Sequence, residues 1–426
     1  MKLAGRRTVA PPRGARGRRP RQRTPNVQRR RARLVPRLAE RLSSIKPSAT
    51  VALNNLVVEK RKAGADVVSF SVGEPDFDTP AHVKDAAIKA LREGRTKYTP
   101  GPGIPELRQA IATSAAAQQK IPCEAKNVLV TPAKMGIFLS LQATCGPGDE
   151  VLLPDPAWVS YEPMIQWTGA KPIGVRLDAT TDFRTTPDAV AARITKRTKA
   201  IILNSPSNPT GGVDTPTDVK GIAKLAADHD VWVISDEIYR QLLYEGTHHS
   251  PASLPGAFDR TITIDGLSKS FAMTGWRMGW AIAPEPVVKE LDKLQSQSLT
   301  HCTSFAQYGA VAAVAGPQDS VATMRAEFKA RRDLMLGLLR KLPGVECATP
   351  HGAFYAFPKF DSKRWGGLDD VKLAERLLSE ANVAATPGSS FGPAGTGHLR
   401  LSYATSRERI EEGIKRMAKW QAGNSI

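Results

Sequence analysis

The 426-residue sequence has no two cysteines at C-x-x-C spacing; its four, Cys123, Cys145, Cys302 and Cys347, are scattered. That excludes zinc and dithiol motifs built from pairs and predicts reduced thiols in a reducing, cytoplasmic compartment. No window approaches about eighteen consecutive apolar residues, so no membrane span is predicted. No internal repeat shows, which removes solenoids and propellers. With 41% hydrophobic and 6% aromatic residues, the composition is that of a soluble globular chain of two or three domains.

Acid is the other absence. The first 39 residues hold no Asp or Glu but fourteen Lys or Arg, which leaves +5 of the net +19 for all the rest. The basicity that would suggest a nucleic-acid partner therefore belongs to a tail. This stretch, rich in Arg, Pro and Gly, has too few apolar residues to bury and is expected to be disordered. It lacks the apolar core of a secretory signal and the serines of a transit peptide, since the first serine is Ser43.

Beyond the tail, apolar runs alternate with helical patterns. "NVLVTP", "DEVLLPDP", "KAIILNSP", "DVWVISDE", "TITIDG" and "RMGWAIAP" read as buried strands, and "AHVKDAAIKALREG" and "TDVKGIAKLAADHD" as amphipathic helices. Such strands, separated by helices, predict an α/β fold with a mostly parallel central sheet. After it, "DSVATMRAEFKARRDLMLGLLRKL" and "SRERIEEGIKRMAKWQAG" read as helices, with "GVECATPHGAFYAFPKF" and "GHLRLSYAT" as strands, which predicts a smaller α+β domain. The expected division is a tail at 1–39, an N-terminal segment at 40–79 packing with the small domain, a large domain at 80–325 and the small domain at 326–426.

In open parallel sheets, ligands bind beyond the carboxyl ends of the strands. "KAIILN" runs into "SPSNPTGG", "DVWVIS" into "DEIYR" and "TITID" into "GLSKS", so Asn208, Asp236, Tyr239 and Lys269 are predicted to converge on one cleft. Taken alone, Asp236 also reads as a helix cap, Asn208 as a turn residue before Pro209, and Lys269 as a surface lysine. A lysine, an acid and an asparagine together are what a pyridoxal phosphate site requires: an amine for the aldehyde, an acid for the pyridine nitrogen and polar donors around the ring. "TPAKMGIFLSLQA", as a helix start, and Arg277 would serve the phosphate.

"SVGEPDF", "KYTPGPGIPELRQAI", "LNSPSNPTGG", "SDEIYR", "SKSFAMTGWRMGW" and "HLRLSYAT" stand in the order found in class I/II aminotransferases. The sequence resembles that family, and within it the bacterial aspartate and aspartate/prephenate aminotransferases, from about Leu42 to Lys419. The resemblance implies the fold type I of pyridoxal-phosphate-dependent transferases and a homodimer with shared active sites. It makes Lys269 the Schiff-base lysine, which also moves the substrate proton, and Asp236 the partner of the pyridine nitrogen. Asn208 and Tyr239 would donate to the phenolic oxygen, and Trp158 would stack on the ring. Ser268, Arg277 and the backbone of Ala133 and Lys134 would hold the phosphate, with Tyr98 reaching that of the neighbouring subunit. Arg400 would anchor the substrate α-carboxylate beside Gly73.

For the substrate side chain, Lys46, Ser48, Thr50 and Lys134 match positions that hold a distal carboxylate in the dicarboxylate-specific enzymes. They imply aspartate or glutamate with their 2-oxo acids. Pro132 and Ala133 replace the usual residues before Lys134, and His301 and Cys302 differ from the usual small polar residues after "SQS". Aromatic or small neutral amino acids, prephenate, and β-elimination on the same fold remain alternatives. A transcription regulator is a further class that the basic tail prompts, but about forty residues with few apolar positions cannot build a winged helix.

Overall fold

The computed structural model describes residues 38, 39, 42 and 49–424. The tail and the residues Lys46 and Ser48 lie outside the described residues, and at Thr50 only the helical backbone is described. Residues 1–44 and 45–426 form two units, and all the architecture below belongs to the second.

Helix Ala49–Lys62 leads into the short strand β1 (Val68–Ser69). The central sheet is built from β2 (Val128–Val130), β3 (Glu150–Asp155), β4 (Lys171–Arg176), β5 (Thr198–Asn204), β6 (Trp232–Asp236), β7 (Thr261–Gly266) and β8 (Gly279–Ile282). Their order is β2-β8-β7-β6-β5-β3-β4. Neighbours from β7 to β4 run parallel, whereas β8 pairs antiparallel with both β7 and β2. A parallel return needs a crossover of about a dozen or more residues, usually helical. The segment between β7 and β8 spends its length on a one-turn helix, Leu267–Ser270, and an irregular loop.

Burial on both faces explains the apolar runs. Ile201, Ile202, Ile234, Ile262 and Ile264 are all at most 1% exposed, and each such side chain contributes about 1.5–3 kcal/mol. The crossover helices are specified locally. Pro216–Asp228 begins with a capping box in which Thr215 and Asp218 each satisfy the other's backbone N–H, and Pro216 fills the first turn. Tyr161–Thr168 ends at Gly169, whose φ of 87° no β-carbon favours.

The C-terminal layer holds helices Asp319–Leu339, Asp370–Glu380 and Arg407–Asn424 with β9 (Val345–Glu346), β10 (Tyr355–Ala356), β11 (Lys359–Phe360), β12 (Val383–Ala384), β13 (Thr386–Pro387) and β14 (Leu399–Ser402). β1 pairs with β12, and β14 lies between β10 and β13. The long strand expected in "GVECATPHGAFYAFPKF" is instead three two-residue pieces. Pro350 and Pro358 lack the N–H that a continuous ladder needs. The expected division at 325/326 falls inside helix Asp319–Leu339.

Candidate active site

β5, β6 and β7 are neighbours whose carboxyl ends lie in register: Asn204 faces Asp236, and Asp236 faces Ile264. Strand alternation sends Asp236 to one face of the sheet and Ser235 and Glu237 to the other. β7 ends at Gly266, so Lys269 stands one helical turn beyond the sheet. Gly266 and Gly279 make this close approach possible. A β-carbon on Gly266 would lie 2.8 Å from the α-carbon of Gly279, and one on Gly279 would lie 2.9 Å from the N–H nitrogen of Ala133.

Asp236 is buried and fixed. Its Oδ2 accepts from the Tyr161 hydroxyl at 2.6 Å and its Oδ1 from the backbone N–H of Ile238 at 3.3 Å. Burial pushes the carboxyl up to about 6, against the two hydrogen bonds that favour its ionised form. Asn204 donates from Nδ2 to the Asp236 carbonyl at 3.1 Å and accepts from the Asn208 N–H at 2.9 Å, so one strand-end amide aligns both residues.

Lys269 donates from Nζ to the Gly73 carbonyl at 2.6 Å. Desolvation lowers its amine to about 8, with the Arg400 and Arg277 charges acting in the same sense and Glu74 opposing them. Arg400, 2% exposed on β14, donates to Ser71 O at 2.6 Å and to Asn208 Oδ1 at 3.1 Å. Its guanidinium lies 4.7 Å from the centre of the Tyr355 ring and 5.0 Å from that of Phe391. Its Nε is buried with no partner among the described residues. Because Arg400 engages Asn208 Oδ1, the Asn208 Nδ2 is left as the amide's available donor. The Tyr239 hydroxyl meets that of Tyr355 at 2.8 Å.

The opposite wall begins at helix Ala133–Thr144, whose first-turn N–H groups have no side-chain cap. Arg277, exposed and in the left-handed region at φ 57°, donates to Thr274 O at 2.9 Å. Lys134 extends from the helix over the Trp158 ring, 4.8 Å from its centre, and donates to Ser160 Oγ at 3.4 Å. Trp158 itself meets Tyr161 edge-on at 5.2 Å.

These groups surround one cavity of about 330 Å³. Gly73, Ala133, Lys134, Trp158, Asn208, Asp236, Tyr239, Ser268, Lys269, Arg277 and Arg400 all line it. Tyr98 does not. It stands 89% exposed, edge-on to His301 at 5.5 Å, in a separate surface depression.

The profile of the family "Aminotransferase class I and II" matches residues 65–417. A relative from Aquifex aeolicus, "Probable aspartate/prephenate aminotransferase", is 45% identical over 90% of this chain and 98% of its own length. The solved "aspartate aminotransferase from Thermus thermophilus with maleate" superposes with a TM-score of 0.86 at 42% identity, covering 91% of this chain and all of that one. An aromatic aminotransferase from Pyrococcus horikoshii OT3 superposes with a TM-score of 0.81 at 41% identity, over 85% of this chain and 98% of that one.

The chain belongs to the class I and II aminotransferases.

Aminotransferases of this family depend on pyridoxal 5'-phosphate, and the residues here suit that group. The cavity joins a buried acid, an amine lowered toward neutrality and uncapped helix N–H groups with Arg277 alongside. A buried guanidinium with an unused N–H stands ready for a carboxylate.

Three cleft residues of this aminotransferase were not singled out from the sequence. Tyr161 ends the stretch "PAWVSY" that carries Trp158, and Asn204 ends the strand "KAIILN", where a polar terminus was the available signal. Tyr355 sits in "HGAFYAF", whose aromatic residues read as core. Only the packing of β10 against β14 turns its hydroxyl toward Tyr239.

Proposed function

We propose that this aminotransferase moves the amino group between aspartate or glutamate and 2-oxo acids, with the roles below for its cleft residues. When bound, pyridoxal phosphate supplies an aldehyde for Lys269 and a conjugated ring that takes up the electron pair released at the substrate Cα. Lys269 Nζ would take the proton from substrate Cα, a task suited to an amine lowered to about 8. Asp236, held by Tyr161 and Ile238, keeps the pyridine nitrogen protonated. Asn208, Tyr239 and Trp158 would hold the ring of the cofactor, the first two as donors to its phenolic oxygen. Ser268, Arg277 and the N–H groups of Ala133 and Lys134 hold the phosphate.

Arg400 takes the substrate α-carboxylate as a fixed fork, with Gly73 beside it. The observation that carries the choice of a dicarboxylate is Lys134. Its ammonium lines the same cavity as Arg400 and has no carboxylate partner among the described residues. Burial and the Arg277 charge lower its basicity, a cost that a distal carboxylate would offset. Lys46, Ser48 and Thr50 complete this pocket in the proposal.

Relatives named for aspartate and prephenate support the same choice and extend it to prephenate as an acceptor. The homologous aromatic aminotransferase supports a second reading, an aromatic amino acid bound over Trp158. The active form is proposed to be a homodimer in which the exposed Tyr98 reaches the partner's phosphate. Four free cysteines fit the reducing cytoplasm.

The test is a panel of amino donors against 2-oxoglutarate, oxaloacetate and prephenate. Aspartate and glutamate should give the highest kcat/KM. Pyruvate and ammonia released from a β-substituted amino acid, with no amino transfer to any oxo acid, would refute the proposal.

A further inference from the structure

Tyr355 lines the same cavity as the residues above and is 1% exposed. Its hydroxyl meets one polar partner among the described residues, the hydroxyl of Tyr239 at 2.8 Å. The rings cross edge to face at 81° with centres 5.8 Å apart, so the contact is fixed by packing. A β-carbon on Gly73 would lie 2.6 Å from the Tyr355 oxygen, so the glycine leaves just the space that the hydroxyl fills.

The direction of this hydrogen bond follows from charge. Burial raises both phenols, but the Arg400 guanidinium, 4.7 Å from the centre of the Tyr355 ring, favours negative charge on Tyr355 and makes it the more acidic of the two. The more acidic hydroxyl is the better donor. With Tyr355 donating to the Tyr239 oxygen, the Tyr239 proton is free for an acceptor in the cavity, and a hydroxyl that accepts one hydrogen bond donates the next more strongly.

We propose that Tyr355 is a positioning residue that acts through Tyr239, donating to its hydroxyl and so strengthening the hydrogen bond Tyr239 gives to the cofactor's phenolic oxygen. This rests on the placement of Tyr239 proposed above. A weaker bond leaves more negative charge on that oxygen, which holds the proton on the adjacent cofactor nitrogen more tightly.

The experiment measures, without substrate, the pH midpoint of the visible absorption change of the cofactor-loaded protein. It compares wild type, Tyr355→Phe, Tyr239→Phe and the double variant. Tyr355→Phe keeps the ring under Arg400 and removes only the hydroxyl. Its midpoint should rise by about half a unit, the size of one ordinary hydrogen bond, and the rise should vanish when Tyr239 is already Phe. A midpoint moved by Tyr239→Phe but not by Tyr355→Phe overturns the role of Tyr355 alone. A rise of equal size in both backgrounds does the same, because Tyr355 would then act without Tyr239. A midpoint unmoved by Tyr239→Phe overturns the placement of Tyr239 and this inference with it.

Discussion

Lys269 and Gly73 are 196 positions apart in the chain, yet the lysine amine donates to the glycine carbonyl at 2.6 Å. The segment before the sheet thus closes over a residue that follows β7. The contact holds the amine at the cavity.

Replacing Lys269 by Ala removes the proposed proton carrier at substrate Cα. Turnover with aspartate and 2-oxoglutarate should fall by at least about 10²- to 10⁴-fold. A coupled assay for oxaloacetate checks this, and a loss below tenfold would refute the role.

Asp236 predicts a trade between stability and function. In the cofactor-free protein its carboxyl is raised from 3.8 to about 6 by burial. Folding thus favours the protonated form, and the penalty grows as pH rises from the unfolded value through the folded one. Asp236→Asn should therefore stabilise the cofactor-free protein at pH 7, by on the order of 1–3 kcal/mol, with the gain fading toward pH 4. The same variant should bind the cofactor but lose most of its turnover. Denaturant unfolding at both pH values decides the first part, and steady-state rates the second.

Arg400→Lys keeps the charge but loses the fork that reaches Ser71, Asn208 and the cavity at once. The kcat/KM should drop by about 10- to 100-fold, chiefly through KM for both the amino acid and the oxo acid. An unchanged KM would place the α-carboxylate elsewhere.

Tyr98 tests the assembly. An exposed aromatic that is 89% accessible in one chain should be covered in a dimer, and Tyr98→Phe should weaken cofactor binding by about tenfold without changing the Lys269 amine. Sedimentation gives the mass, and cofactor titration gives the affinity. A monomer with full activity would remove the shared site.

The periodicity of the chain made much of the architecture legible. Helices over 81–92, 216–228, 319–339 and 407–424 follow from apolar residues at helical spacing, and β2, β3 and β5–β8 from short Val/Ile/Leu runs. The edge strand β4, "KPIGVR", escaped because it is half exposed and broken by Pro and Gly. The reversed direction of β8 also escaped, since hydrophobic pattern carries no strand polarity.

By itself, then, the sequence determined the strand ends that carry Asn208, Asp236 and Lys269, because local pattern decides where a buried strand stops and its polar loop begins. It equally determined that most of the net positive charge lies in the first 39 residues. The tertiary structure decided what those groups touch. Tyr161 on Asp236, Gly73 on Lys269, and Tyr355 between Arg400 and Tyr239 all join residues distant in the chain. Such contacts come from the packing of separate layers around one cavity, and no local pattern of residues encodes the distance between them.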